Sequence, residues 1–244
     1  MAGQAANWKQ LIMISSFADP NIQSTFKHHS TSYKGCFKMR RKIPTTQDAS
    51  MSQVLLYQLK QVFIRIQCES LSSQTKDRLS YFADKVLPKL RQMKQKHTLI
   101  YIPSYFDFIA LRNYLLKKEL QFVSVTEYAR VSEVSRGRAR FLQGRKPIML
   151  YTGRAHYFLR HGIKGAKHVI FFGLPEHADF YPKILNNITT TNANEEKEQQ
   201  TTSHDPSCLV LFTKYEAHAL ERIVGTSHCN QMIKSDKSTF VFRS

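Results

Sequence analysis

The chain has 244 residues, 42% hydrophobic and 22% charged, and its thirty-six Lys/Arg against eighteen Asp/Glu give +18 and a pI near 9.9. That length buries one large core or two small ones, and the composition excludes a mainly disordered chain. A charge this positive suits a phosphate backbone better than an anionic membrane and is poorly matched to small-molecule enzymology.

Three further classes are disfavoured. No apolar run reaches the roughly 18 residues that span a bilayer, and no amphipathic stretch with a Lys face marks a membrane anchor. The N-terminus lacks the basic-then-apolar pattern of a signal peptide, which argues against secretion. Cys36, Cys68, Cys208 and Cys229 are scattered without a Cys-x-x-Cys pair, so they read as reduced thiols of an intracellular protein rather than zinc ligands.

Residues 9–17 form a short apolar run that reads as a buried parallel strand, and Asp19-Pro20 starts a helix toward His28. The basic, irregular stretch from Gly35 and the turn-like residues 44–50 make a linker. The second half of Val54–Ile66 alternates like a strand. Over Ser73–Gln95, Leu79, Phe82, Val86, Leu87 and Leu90 recur at helical spacing. Strands then alternate with helices: strand Thr98–Pro103, helix Tyr105–Lys118, strand Phe122–Val125, helix Ser132–Gln143 and strand Pro147–Tyr151. Strand His168–Phe172, helix Ala178–Asn187, strand Cys208–Phe212 and helix Tyr215–Val224 complete the order. Such alternation implies βαβ crossovers, hence an α/β domain with a parallel sheet covered on both faces. Asn186–Ser207 is Thr/Asn/Gln-rich with almost no apolar residue and reads as a disordered surface insertion.

From Val134 to Pro175 there are nine Lys/Arg and no Asp or Glu, where average composition would place roughly three acids. The apolar runs inside this stretch look like strands, so its cations should gather at one sheet edge and favour a polyanion. Phosphate-cradling glycine loops, a Gly-x-Ser-x-Gly elbow and a His-Glu-x-x-His pair are all absent from the sequence. Asp107 and Glu119 stand at helix ends, where dipole and solvation explain them.

Two stretches place hydroxyls just past strands: Ser104 before a helix, and Thr152 with Arg154 after Ile148-Met-Leu-Tyr. Ser104 is either a helix cap or, with neighbouring amides, a phosphate contact; Thr152 is either a turn hydroxyl or such a contact. Arg138 and Arg140 fit a solvated helix face or a basic edge. For Arg154 and Arg160 phosphate contact is the better reading, and Lys164 widens the edge.

These residues carry a family resemblance. Strand–Ser104-Tyr105–helix, the helix with Arg138 and Arg140, strand–Thr152, and His168-Val-Ile-Phe-Phe-Gly-Leu-Pro resemble the second RecA-like domain of DEAD-box RNA helicases. Lys9–Phe17 resembles the end of a first such domain. More closely, nearly the whole chain resembles the C-terminal part of the digestive-organ-expansion-factor family, a helicase-like component of the small-subunit processome; Tyr101-Ile-Pro-Ser-Tyr-Phe-Asp is the most specific string.

The resemblance implies a RecA-like parallel sheet with helices on both faces. Residues 1–41 would be a remnant of a first RecA-like domain with its connector, and 42–244 a second RecA-like domain with the insertion at 186–207. A remnant with a single strand cannot build a sheet, so residues 1–40 should be poorly packed and Trp8 and Leu11–Phe17 exposed. The pattern departs from an active helicase: Gly153 follows Thr152 where motif V has Asp, and Tyr181-Pro182-Lys183-Ile184-Leu185 replaces the motif VI arginines. No P-loop or Asp-Glu-Ala-Asp box is present. The implied protein is a nuclear, nucleolar, non-catalytic component without cofactor or metal. Its partners would be pre-ribosomal RNA or small nucleolar ribonucleoprotein and other processome proteins, with Ser104, Arg138, Arg140, Thr152, Arg154, Arg160 and Lys164 on RNA. The rival readings are half of an ATP-dependent RNA helicase and a nucleolar protein-interaction module.

Overall fold

The computed structural model describes residues 10–15, 19–31, 34–39, 54, 59–92, 97–195 and 207–243. The chain separates into two compact units, Met1–Ile43 and Pro44–Ser244. In the first, α1 spans Pro20–His29. Asp19 caps it, accepting the Asn21 N–H at 2.6 Å, Pro20 opens it, and Lys27, His28 and His29 close it against the dipole. Residues 10–15 are irregular rather than a buried strand, and Ile14 is 93% exposed. A strand needs a neighbour to satisfy its ladder, and α1 offers none. No described residue of this unit is buried, which is the loose packing the sequence predicts. Trp8, Phe17 and the turn at 44–50 lie outside the described residues.

In the second unit β1 (Lys60–Ile66) is followed by α2 (Gln74–Tyr81), a π-helical turn at Phe82–Val86 and α3 (Leu87–Gln92). The sequence pattern shows one helix here; Pro88 has no N–H for the ladder, and the turn just before it widens. Next come β2 (Thr98–Ile102), α4 (Tyr105–Lys117), β3 (Phe122–Val125), α5 (Val131–Leu142), β4 (Ile148–Thr152), α6 (Gly153–Leu159) and β5 (His168–Phe171). The chain ends with α7 (Phe180–Glu195), β6 (Ser207–Thr213), a 3-10 turn at Lys214–Glu216, α8 (Ala217–Val224), α9 (Thr226–Lys234) and β7 (Thr239–Arg243).

The strands form one sheet in the order β3-β4-β2-β5-β6-β1-β7, with every neighbouring pair parallel except β1–β7. All five residues of β2 and of β4 are buried, which is why both read as continuous apolar runs instead of alternating ones. Successive residues point to opposite faces. Leu99 and Tyr101 join a core with Phe141, Phe180, Tyr181 and Ile223; Ile100 and Ile102 join another with Phe82, Leu111 and Leu115. Helices thus cover both faces, as the sequence predicts. The expected disorder from Asn186 is corrected in part. Ile188 is buried one turn beyond Ile184 and Leu185, and helical backbone runs on to Glu195; residues 196–206 lie outside the described set.

Candidate nucleic-acid interface

Parallel strands deliver their following residues to one end of the sheet. Ile102 pairs with Thr152, so Ser104 and Thr152 emerge side by side, and Glu127 arrives after β3. Both hydroxyls are helix caps. Ser104 Oγ accepts the Asp107 N–H at 3.5 Å, and Thr152 Oγ1 accepts the Ala155 N–H at 3.2 Å. Thr152 also donates to Glu127 Oε2 at 3.0 Å, which commits its only proton. Gly153 opens α6 hard against Pro103; a Cβ there would come within 2.8 Å of the Tyr101 hydroxyl and 3.2 Å of the Pro103 backbone. The departure from Asp at this position therefore has a packing reason.

Arg154 stands 56% exposed with its Nε 3.4 Å from Glu127 Oε1 and its guanidinium 5.9 Å from the Phe158 ring centroid. Exposed rings accompany it at this end of the sheet: Phe106 at 82%, Tyr128 at 67% and Phe158 at 62%. Tyr128 meets Tyr105 edge to face. Sequence reasoning misses Glu127 and these aromatics. The signal for Phe106 is its place between the inward-facing positions of α4; nothing local marks Glu127, because its partners come from β4 and α6.

The other candidates do not join this cluster. Arg138 donates to the Gly162 carbonyl at 2.7 Å and so ties α5 to the loop before β5. Arg160 closes α6 with a left-handed φ of 44°, a place usually taken by glycine, and is exposed. Arg140 lies near the far end of α5, where its carbonyl accepts the Arg145 and Lys146 N–H groups. Lys164 is exposed beside Gly165, whose Cβ would touch Leu142 at the end of α5. The expectation that all these cations gather at one edge is therefore corrected. Helix α5 crosses the sheet from end to end, and the return to β5 carries Lys164 to the opposite end.

Behind the cluster lies a buried network. Arg78, 3% exposed, donates to Asp107 Oδ2 at 2.9 Å and Glu216 Oε2 at 2.8 Å. Thr75 donates to Asp107 Oδ1 at 2.6 Å, and Glu216 also accepts the Thr213 N–H at 2.9 Å. Asp107 is thus a buried ion-pair member rather than a solvated helix-end charge, because α2 packs against α4 and brings Arg78 over it. Gly173 lets the guanidinium pass; a Cβ would meet Arg78 Nη1 at 2.7 Å. On α6, His156 Nδ1 lies 3.1 Å from the Tyr151 hydroxyl, and the ring packs on Phe180. Burial first, then the charges of Lys183 and Arg160, push its pKa down to about 4. Cys68, Cys208 and Cys229 are buried thiols, and desolvation raises Cys208 to about 12.

The second unit is therefore an α/β domain of the mostly parallel, doubly covered kind, with its polar chemistry on strand-end loops. Its family is given by the sequence: a family model described as Utp25, C-terminal domain, matches residues 50–242, and the chain belongs to that family. Relatives include the U3 small nucleolar RNA-associated protein 25 homolog of Homo sapiens, 40% identical over 97% of this chain, and Protein NUCLEOLAR FACTOR 1 of Arabidopsis thaliana, 34% identical over 98%. The chain spans 30% of the length of each. Relatives so named place the chain in the nucleolus of the nucleus. Among solved structures, the C-terminal domain of S. cerevisiae Dbp5 bound to Gle1 and IP6 is similar, with 14% identity over 69% of this chain and 83% of that one and a TM-score of 0.46. Dbp5 bound to RNA and ADP BeF3 has 13% identity over 90% and 54%, with a TM-score of 0.47.

Proposed function

We propose that this chain is part of a non-catalytic, helicase-like component of the small-subunit processome that binds RNA during pre-ribosomal RNA processing and small-subunit assembly. It would correspond to the C-terminal part of the digestive-organ-expansion-factor family, with residues 1–41 as the remnant and connector of a preceding RecA-like domain and 42–244 as the second. The observation that carries the reading is Arg154: an exposed guanidinium between a buried carboxylate and an exposed ring, at the strand ends where α/β sheets take ligands. Exposed Phe106, Tyr128 and Phe158 suit stacked bases, and Arg154 and Arg160 suit the backbone. Ser104 and Thr152 position this corner through their caps, while Arg138, Arg140 and Lys164 lie outside it and add to the positive charge of the domain as a whole.

Two features support binding without turnover. Where helicase arginines would stand, Tyr181, Pro182, Ile184 and Leu185 are buried along α7 and only Lys183 reaches solvent. Arg78, the arginine beside the strand ends, is held by two carboxylates and is not available to a transferring phosphate. RNA titrations of the Arg154→Ala/Arg160→Ala chain should show weaker binding and a shallower salt dependence, with no RNA-stimulated ATP hydrolysis by either protein. Unaltered affinity and slope would remove these arginines from the interface, and stimulated hydrolysis would return the helicase reading.

A further inference from the structure

The N-terminal ends of the six parallel strands lie on one row, which the C-terminal end of antiparallel β7 completes. Phe122 pairs with Ile148, Ile148 with Thr98, Thr98 with His168, His168 with Ser207, Ser207 with Lys60 and Lys60 with Arg243. Six strand spacings make that row about 29 Å long. Three loops enter it from the helices. Arg140, Arg145 and Lys146 come at the end of α5, where Thr98 N–H donates to the Pro147 carbonyl. Lys164 and Lys167 come before β5, where the Lys167 N–H donates to the His97 carbonyl. Lys118 ends α4, with its carbonyl against Arg91.

These loops carry one carboxylate, Glu119, among their described residues. At the opposite end of the sheet a carboxylate stands close after each of β1, β2, β3, β5 and β6: Glu69, Asp107 in the first turn of α4, Glu127, Glu176, and Glu216 in the 3-10 turn. Arg140, Arg145, Lys146 and Lys164 form no ion pair among the described residues, and all but the half-buried Lys146 are exposed. Neighbouring loops are one or two strand spacings apart. That is about 5–10 Å, comparable with the Debye length near physiological salt, so their potentials add. No large aromatic ring is exposed at this end among the described residues.

We infer that the N-terminal end of the sheet is a second RNA surface, one that reads phosphates and not bases. It rests on the RNA-binding function proposed above and lies across the sheet from Arg154. A broad row of cations without rings or a cavity fits the backbone of a duplex or a folded strand. The two ends together would hold RNA at two places on one domain, bases stacking at one end and backbone docking at the other.

The test compares the full chain with two variants, Arg140→Gln/Arg145→Gln/Lys146→Gln/Lys164→Gln and Arg154→Ala/Arg160→Ala, in titrations with duplex RNA over a range of salt. Loss of four phosphate contacts should make the slope of log K against log salt shallower by about 3.6 for the four-site variant on a duplex. A charge-keeping Arg140→Lys/Arg145→Lys chain should retain the original slope, which separates lost charge from lost folding. If the four-site variant keeps the parent slope while the Arg154/Arg160 variant loses affinity, the second surface is wrong and the proposed function stands. If the parent chain binds no RNA, both fail. If the four cations govern binding to vesicles of anionic phospholipid and not to RNA, the partner is misassigned.

Discussion

At the C-terminal end of the sheet, cations and carboxylates arrive together: Arg78 lies between Asp107 and Glu216, and Arg154 lies beside Glu127. At the N-terminal end, Arg140, Arg145, Lys146 and Lys164 stand without an ion pair among the described residues. The first end uses charge to fix loops; the second leaves charge for something outside the chain. Number of cations and availability of cations are thus different properties, and in this protein they separate along the strand axis. A paired arginine contributes to rigidity, because breaking a buried pair strands a desolvated charge. A solvated lysine contributes little to stability and much to long-range attraction.

The sharpest way to break this contrast is Arg78→Met. It leaves Asp107 and Glu216 without their cation, and urea unfolding should show a loss of about 3–5 kcal/mol. The four-site variant at the other end should stay within about 0.5 kcal/mol of the parent in the same assay. Equal losses from both would erase the distinction between the ends.

A smaller effect is expected from acid. His156 is held neutral in the folded chain, with a pKa of about 4, below the usual 6.5. As pH falls the unfolded chain takes up that proton first, so the stability is complete above pH 6.5 and declines progressively toward pH 4. In thermal melts between pH 7 and pH 4, His156→Gln should decline less steeply than the parent; parallel curves would assign the acid sensitivity elsewhere.

The smallest effect concerns Glu127. Glu127→Gln keeps an acceptor for Thr152 and removes the charge beside Arg154. A partly exposed pair is worth about 0.2–1 kcal/mol, so RNA affinity should rise by up to about fivefold. Weaker binding would mean that Glu127 positions Arg154 for RNA rather than competing with it.

Much of the fold was legible in local pattern. The runs at 98–102 and 148–152 declare buried strands because both faces of the sheet are covered, and Tyr105–Lys117 declares its helix through Phe108, Leu111 and Leu115. Helix α6 was not legible. Its seven residues carry Tyr157, Phe158 and Leu159 toward solvent, and Gly153 at its start is dictated by Pro103 from another strand end. Strand β7 was hidden too, since its alternation acquires meaning only beside β1. Of the candidate site, Ser104, Thr152 and Arg154 were found together because each lies at or within two residues of a strand's C-terminal end. Arg140 and Lys164 were misgrouped with them because sequence proximity does not say which end of a helix a residue occupies.

By itself the sequence determined the α/β class, the strand and helix order, the excess of positive charge and the lack of phosphate-cradling loops. These depend on side-chain type and on periods of two and 3.6 residues, which are local quantities. Only the tertiary structure decided that Asp107 is buried against Arg78, that Glu127 occupies Thr152 and Arg154, and that the basic residues divide between two ends of the sheet. Those outcomes depend on distances between residues far apart in the chain, where a crossover of one helix length decides which charges meet and which remain apart.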